Sequence, residues 1–237
     1  MAIAELKQRG RVAAASAEDQ PGDASPRLSG MARKSIMDAL FARRILAGSF
    51  VSQGDLVELL GIPIQPLRDA LRVLEAEGIV TIHPRAGIEF VKADMDLIRS
   101  TYQFRLIIEC AAVRTYTEKA PKEDIEKLLS DHLAFIDEIE KNGIDDASLS
   151  KLHEIESKFH GDLIQSLANP LIEATEKRLA NYTSLILMDR RETAPLIVRT
   201  LREHVKVLEA SKSRNVDAAI TEMAAHLTSA MHRAMGL

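Results

Sequence analysis

Tryptophan is absent from this chain, and aromatic residues make up only 4% of it. A core without large rings must be filled by Leu, Ile, Val, Ala and Met, which suits packed helices better than a β-sandwich. Cysteine is nearly absent as well. Cys110 stands alone and cannot form an internal disulfide, which fits a reducing cytoplasm. No apolar run approaches the roughly 20 residues that span a bilayer, so no membrane partner is expected. The opening MAIAELKQRGRVAAASAEDQ breaks its apolar stretches with charge, unlike a secretory leader. A basic excess is lacking too: the formal net charge is −4. That argues mildly against a nucleic-acid binder, whose usual signature is a basic footprint.

What is present is ordinary for a folded protein. Hydrophobic residues make up 46% and charged ones 28% of 237 residues, enough for two modest domains. Residues 1–30 are rich in Ala, Gly, Ser and Asp, contain Pro21 and Pro26, and read as a flexible N-terminal arm. Regular structure is expected from Met31. Ile36, Leu40, Phe41 and Ile45 give one helix an apolar face, ended by Gly48. A short second helix over 54–60 is stopped by Gly61. A third, from Pro66 to Glu77, buries Leu67, Ala70, Leu71 and Leu74. The β-rich runs 79–82 and 88–91 flank His83-Pro84-Arg85-Ala86-Gly87 and form a hairpin.

From Asp94 the strand signals cease and long amphipathic helices follow over about 95–118, 122–141, 148–167, 170–188, 193–211 and 215–235. The expected fold is therefore mainly α. An N-terminal winged helix-turn-helix covers 31–93, and a C-terminal all-α bundle of six or seven helices covers 94–237.

In a winged helix-turn-helix the recognition helix presents its N-terminal side chains to the major groove, and the hairpin tip reaches neighbouring backbone. Gln65, Arg68, Asp69 and Arg72 face away from the leucine stripe of the third helix. Arg68 and Arg72 suit phosphate or guanine, and Gln65 has the bidentate geometry for adenine. Arg85 beside Gly87 offers a cation on backbone that can approach closely. Charged helix faces are usually just solvated, and Arg68 and Arg72 can equally pair with Asp69, Glu75 or Glu77. The order of elements tips the reading toward double-stranded operator DNA.

The run LVELLGIPIQPLRDALRVLEAEGIVTIHPRAGIEFV resembles the DNA-binding domain of the GntR family of bacterial regulators. It shares the Leu-Gly before the turn, Pro66 followed by Arg68, the helix end LRVLEAEGIV and the Pro84-Arg85-x-Gly87 wing. Where that family usually carries Ser-Arg-Thr, this chain has Pro63, Ile64 and Gln65. Ile64 cannot donate to guanine but can contact a thymine methyl, so a changed operator sequence is expected.

Among the seven histidines, His160 lies one turn from Glu156 on one helix face that borders the core. His204 and His226 sit among apolar residues on the last two helices. One carboxylate and three imidazoles from three helices can converge on a divalent cation. Spacing alone is a weak signal, since a histidine on an apolar face is more often a satisfied core residue. His153, on nearly the same face, is a rival ligand, and His132 and His232 read as surface residues. Arg105 is four residues from Glu109. It either holds an anionic ligand bidentately or forms a plain intrahelical pair.

Residues 95–233 resemble the FCD ligand-binding domain of the FadR subfamily of GntR regulators. The matching positions are Arg105 with Glu109, Glu156 to Phe159-His160, Asn169, Glu203-His204 and Ala225-His226-Leu227. The resemblance implies a homodimer and a metal held by Glu156, His160, His204 and His226. The metal is zinc first, with nickel, manganese or iron as alternatives. It also implies a small carboxylate effector near Arg105 and repression relieved by that effector. Glu156 replaces the family's usual aspartate, which changes the carboxylate's reach. Two other readings compete: a metal-sensing regulator, and a helical metallohydrolase. The latter lacks a His-Glu-x-x-His signature, so no enzyme is expected.

Overall fold

The computed structural model describes residues 24–188, 190 and 192–237. The chain divides into two compact units, Met1–Val91 and Lys92–Leu237. Of the arm expected over 1–30, residues 1–23 lie outside the described ones. Residues 24–30 already belong to the first helix, α1 (Ala24–Phe41), which starts earlier than Met31. The reason is that the stretch ASPRLSG over 24–30 carries one large apolar residue, Leu28, and so leaves no apolar period to read.

In the first unit α2 (Gln53–Leu60) begins at a capping box. Ser52 Oγ accepts the Asp55 N–H, and the Asp55 carboxylate accepts the Ser52 N–H, both at 3.1 Å. It ends at Gly61, whose left-handed φ of 65° is the ordinary way to close a helix and open a tight turn. The recognition helix α3 (Ile64–Ala76) starts two positions before Pro66, because proline is tolerated in a first helical turn. Leu67, Ala70, Leu71 and Leu74 are all fully buried, as are Ile36 and Leu40 of α1, the helix on which α3 packs.

The wing is a three-stranded antiparallel sheet in the order β1-β3-β2, built from β1 (Phe50–Val51), β2 (Val80–His83) and β3 (Gly87–Phe90). The hairpin β2–β3 is the expected one. Strand β1 adds an edge that two residues are too short to announce by alternation. Gly87 is where the sheet closes. Its φ is 137°, and a Cβ there would lie 2.8 Å from a Phe50 ring carbon and 2.9 Å from the Val51 carbonyl oxygen.

The second unit is six helices among the described residues: α4 (Met95–Lys119), α5 (Lys122–Asn142), α6 (Asp146–Gln165), α7 (Pro170–Leu187), α8 (Ala194–Lys212) and α9 (Val216–Met235). Four starts are fixed by side chains accepting a first-turn N–H: Asp94, Asp145, Asn169 and Asn215. Helix α4 packs mainly on α9, and α5 on α8. Phe135, Phe159, Leu163, Leu201, Leu208 and Met223 fill the centre. Helix α7 is different, since it buries only Leu185 and Ile186. At the far end Arg214, held at φ 58°, donates to the Thr117 carbonyl at 2.6 Å and to the Ala120 carbonyl at 2.7 Å. It thereby satisfies the free carbonyls that close α4. No helix among the described residues is long and apolar enough to cross a membrane.

Candidate functional site

Three histidines meet inside the bundle. His160 on α6, His204 on α8 and His226 on α9 each bring a ring nitrogen within 4.8 Å of the other two. His204 Nε2 and His226 Nε2 are 3.2 Å apart. Two nitrogens about 2.1 Å from one tetrahedral ion lie about 3.4 Å from each other, so this spacing fits a shared cation. His204 is fully buried, His226 nearly so, and the His204 ring stacks on Phe159 with centroids 3.9 Å apart.

Each imidazole is oriented from behind. His160 Nδ1 donates to Glu109 at 2.6 Å, and His226 Nδ1 donates to Glu203 at 3.0 Å. Glu109 in turn accepts from Arg105 Nε at 2.7 Å, and Glu203 takes both Arg233 nitrogens at 2.8 and 2.9 Å. These contacts fix both tautomers and leave each Nε2 without a proton; that of His226 faces His204 Nε2, and that of His160 lies 3.2 Å from Arg105 Nη2.

The third partner is a histidine. Contrary to the surface position expected of it, His132 on α5 is fully buried. Its Nδ1 donates to the Leu128 carbonyl at 2.7 Å, so its Nε2 carries a lone pair facing His204 Nδ1 at 3.3 Å. His204 therefore donates through Nδ1 and keeps Nε2 free. The signal was present in sequence, because His132 falls in the stripe of Leu128, Phe135, Ile136 and Ile139 that α5 buries. Replacing His132 with alanine is expected to weaken zinc binding about 10–100-fold, as loss of such a partner usually does. Glutamine, whose carbonyl can still accept from His204, should restore most of it. Competition with a fluorescent zinc chelator measures both, and equal affinity in wild type and His132→Ala would remove this role.

Electrostatics follow the same geometry. Burial pushes the Glu109 carboxyl up, but Arg105 and His160 outweigh it and hold it well below the carboxylate range. Burial opposes ionisation of Glu203 too, yet the bonds from His226 and Arg233 bring it to about 2. Burial lowers His160, but the Glu109 charge together with the hydrogen bonds to Glu109 and Glu156 outweighs it and raises it. His204 is held far below its ordinary value by burial and then by the imidazoles of His226, His160 and His132. A cluster that keeps His204 neutral is poised to ligate through it.

Glu156 stands at the edge of the trio. Its carboxylate oxygens lie 3.7 Å from His160 Nε2 and from His204 Nδ1, and Oε1 is buried without a hydrogen-bond partner. An orphaned buried carboxylate oxygen beside three converging imidazoles is a donor set that suits a divalent ion. Among the described residues the ligand atoms within 4.8 Å of one another are those of the three imidazoles, so Glu156 lies just outside that group and the exposed His153 does not join it either.

The site opens into a cavity of about 410 Å³ enclosed by α4, α6, α7, α8 and α9. Arg105 borders it. Of the two sequence readings of this residue the intrahelical one is seen, as the buried pair with Glu109, and Nη2 also lies 3.2 Å from each ring nitrogen of His160. Glu203 and Arg233 tie α8 to α9 behind His226; in sequence Glu203 stands out only as the neighbour of His204, and Arg233 does not stand out. Nothing local marks a pair 30 residues apart.

On the head, Ile64, Gln65, Arg68 and Arg72 are exposed along α3, and Arg85 is exposed at the wing tip with φ 67°. The polar members are occupied by neighbours. Gln65 donates to Asp69 at 3.2 Å, Arg72 to the same carboxylate at 3.4 Å, and Arg68 Nε to Gln53 at 2.9 Å. These exposed contacts are weak and exchangeable for phosphate or base edges.

A winged head and a helical bundle with a cavity beside three converging histidines make up a ligand-responsive DNA-binding regulator. Comparison with known proteins agrees. The FCD domain matches residues 100–229, and the family of bacterial regulatory proteins called gntR matches residues 28–90. The HTH-type transcriptional regulator YdhC of Bacillus subtilis is 27% identical over 188 residues, covering 76% of this chain and 78% of its own. The HTH-type transcriptional repressor RspR of Escherichia coli is 26% identical over 200 residues, covering 82% of each. Among solved structures, E. coli McbR/YncC superposes with a TM-score of 0.70 at 15% identity, over 88% of this chain and 97% of that one. A GntR regulator from Rhodococcus sp. RHA1 gives 0.67 at 18% identity, over 90% and 98%. This chain belongs to the GntR family of transcription regulators, in the FadR subfamily defined by the FCD domain.

Proposed function

We propose that the chain is a homodimeric repressor that leaves its operator when a small organic acid binds beside a divalent metal. The metal is held by His160, His204 and His226 with Glu156 as the oxygen donor, zinc fitting the nitrogen-rich set best and nickel, manganese or iron also suiting it. The observation that carries this reading is the convergence of three imidazoles, each oriented from behind, on the wall of a cavity that Arg105 also borders. A bound metal supplies a Lewis-acidic anchor for a carboxylate, and Arg105 supplies a second cationic contact. Gln65, Arg68, Arg72, Arg85 and Gly87 form the DNA face, used twice by two-fold related heads. RspR, itself a repressor, lends that sign of regulation.

The site reads as a sensor and not a catalyst. Glu109 and Glu203 are held ionised by arginines and aimed at Nδ1 atoms, so neither is placed as a general base. Release requires only that the acid bind the DNA-free state more tightly. A mobility-shift assay with zinc-loaded protein and DNA from its own promoter region tests the proposal. The expected result is retardation at low salt that a carboxylate panel weakens at constant zinc. Absence of any shift at low salt removes the repressor reading, and a shift that responds to zinc alone replaces the acid with the metal as the signal.

A further inference from the structure

We infer that the effector is a monocarboxylate with an apolar acyl or aryl body, its head at the histidines and its tail along an aliphatic wall of the cavity. The inference rests on the reading of the histidine trio as a metal centre, and it narrows the acid that centre receives.

Size is the first argument. About 410 Å³ lies within the range of pockets that enclose whole drug-sized ligands, and it far exceeds what a two- or three-carbon acid fills. The second argument is the lining. Away from the histidines the cavity is walled by Leu149 and Leu152 of α6, Leu179 and Leu187 of α7, and Leu196 of α8. These leucines are incompletely buried, whereas the leucines of the bundle centre are shielded from solvent. Apolar surface left accessible inside a pocket is surface that a hydrocarbon body removes from water.

Charge is the third argument. Arg105 and Arg233 reach the cavity already paired with Glu109 and Glu203. Beyond those pairs the lining carries Arg190 against the carboxyls of Glu156, Glu176 and Glu192. A divalent ion brings that set only to neutrality, so one anionic head is held by direct contact with the ion and every further carboxylate adds uncompensated charge. A second or third carboxylate would face Glu176 and Glu192 across a low-dielectric space. An acid with one charged end and an apolar remainder satisfies all three constraints, and a compact polyacid fails those of lining and charge.

The test uses full-length, zinc-loaded protein and calorimetric titration with acetate, citrate, octanoate and 3-phenylpropionate. Octanoate or 3-phenylpropionate should bind at least about tenfold more tightly than acetate or citrate, the effect of desolvating one or two leucine-sized groups. Leu179→Gln, which keeps volume but makes the wall polar, should lower octanoate affinity about tenfold while zinc content and acetate binding stay unchanged. Leu149→Gln, at a more exposed position, repeats the test where the first variant folds poorly. Citrate binding as tightly as octanoate overturns the inference and leaves the metal reading intact. So does an affinity indifferent to both leucine variants, or a zinc-loaded protein that binds none of the four acids. A protein that takes up no zinc overturns the metal reading alone, and the octanoate-to-citrate ratio measured on it still decides the effector class.

Discussion

Stripping the protein with a chelator is expected to lower its thermal midpoint by about 8–16 °C, with full recovery on adding zinc back. The size follows from linkage. An ion bound only by the folded state at a thousandfold excess over its Kd stabilises by about 4 kcal/mol, and each kcal/mol moves the midpoint of a domain this large by about 2–4 °C. The metal-free bundle is also handicapped internally. Three imidazoles, the fully buried His204 among them, converge beside a carboxylate oxygen without a partner, and a cation would satisfy them together. Replacing His204 with alanine should remove the response to chelator, whatever it does to the midpoint itself, because the ring opposite His226 is gone. Differential scanning calorimetry with and without chelator reads both. A wild-type midpoint indifferent to chelation, in protein shown by native mass spectrometry to have carried zinc, would falsify a stabilising metal.

Arg68→Ala and Arg85→Ala should each weaken operator binding by about 1–3 kcal/mol per contact, roughly 10–100-fold, and by the square of that where two heads bind together. Arg68 is exposed on α3, and its bond to Gln53 is a surface contact of little intrinsic strength. Arg85 occupies a left-handed conformation at the wing tip, beside a Gly87 that admits no side chain. The two should differ in kind. A phosphate contact reduces the salt slope and weakens all sequences alike, and a base contact relaxes preference at one position. Asp69→Asn should act in the opposite direction, because Asp69 holds both Gln65 and Arg72 in the free protein. Fluorescence anisotropy over a salt series separates these effects. Unchanged affinity in both arginine variants would move the DNA face elsewhere on the head.

Much of the architecture is legible in the sequence because helix ends carry their own chemistry. Asn169 before Pro170 and Asp94 before Met95 fall where α7 and α4 begin, and Asn142-Gly143 where α5 stops. The Asn169 shared with FCD domains has a physical role here, since its side chain accepts the Leu171 N–H at 3.0 Å. The site is legible only in part. Glu156 and His160 declare themselves by one helical turn, and so do Arg105 and Glu109. That Glu109 spans from α4 to a histidine 51 residues on is a property of packing, and no local period encodes it. His132 shows the same limit. One polar residue in an apolar stripe is read as an interruption until its partner His204, 72 residues away, is known.

The Arg214 contacts at the far end of the bundle divide the domain mechanically. One guanidinium staples the α8–α9 corner to the last turn of α4, and the buried Thr117–Ser211 hydroxyl pair at 2.8 Å stands beside it. The helices bearing Arg105, His204 and His226 are thus fastened into a frame. Helix α7, with two buried side chains to anchor it, is the cheapest wall to displace. Strain imposed by a ligand too large for the cavity is therefore shed into α7 before it reaches the three histidines.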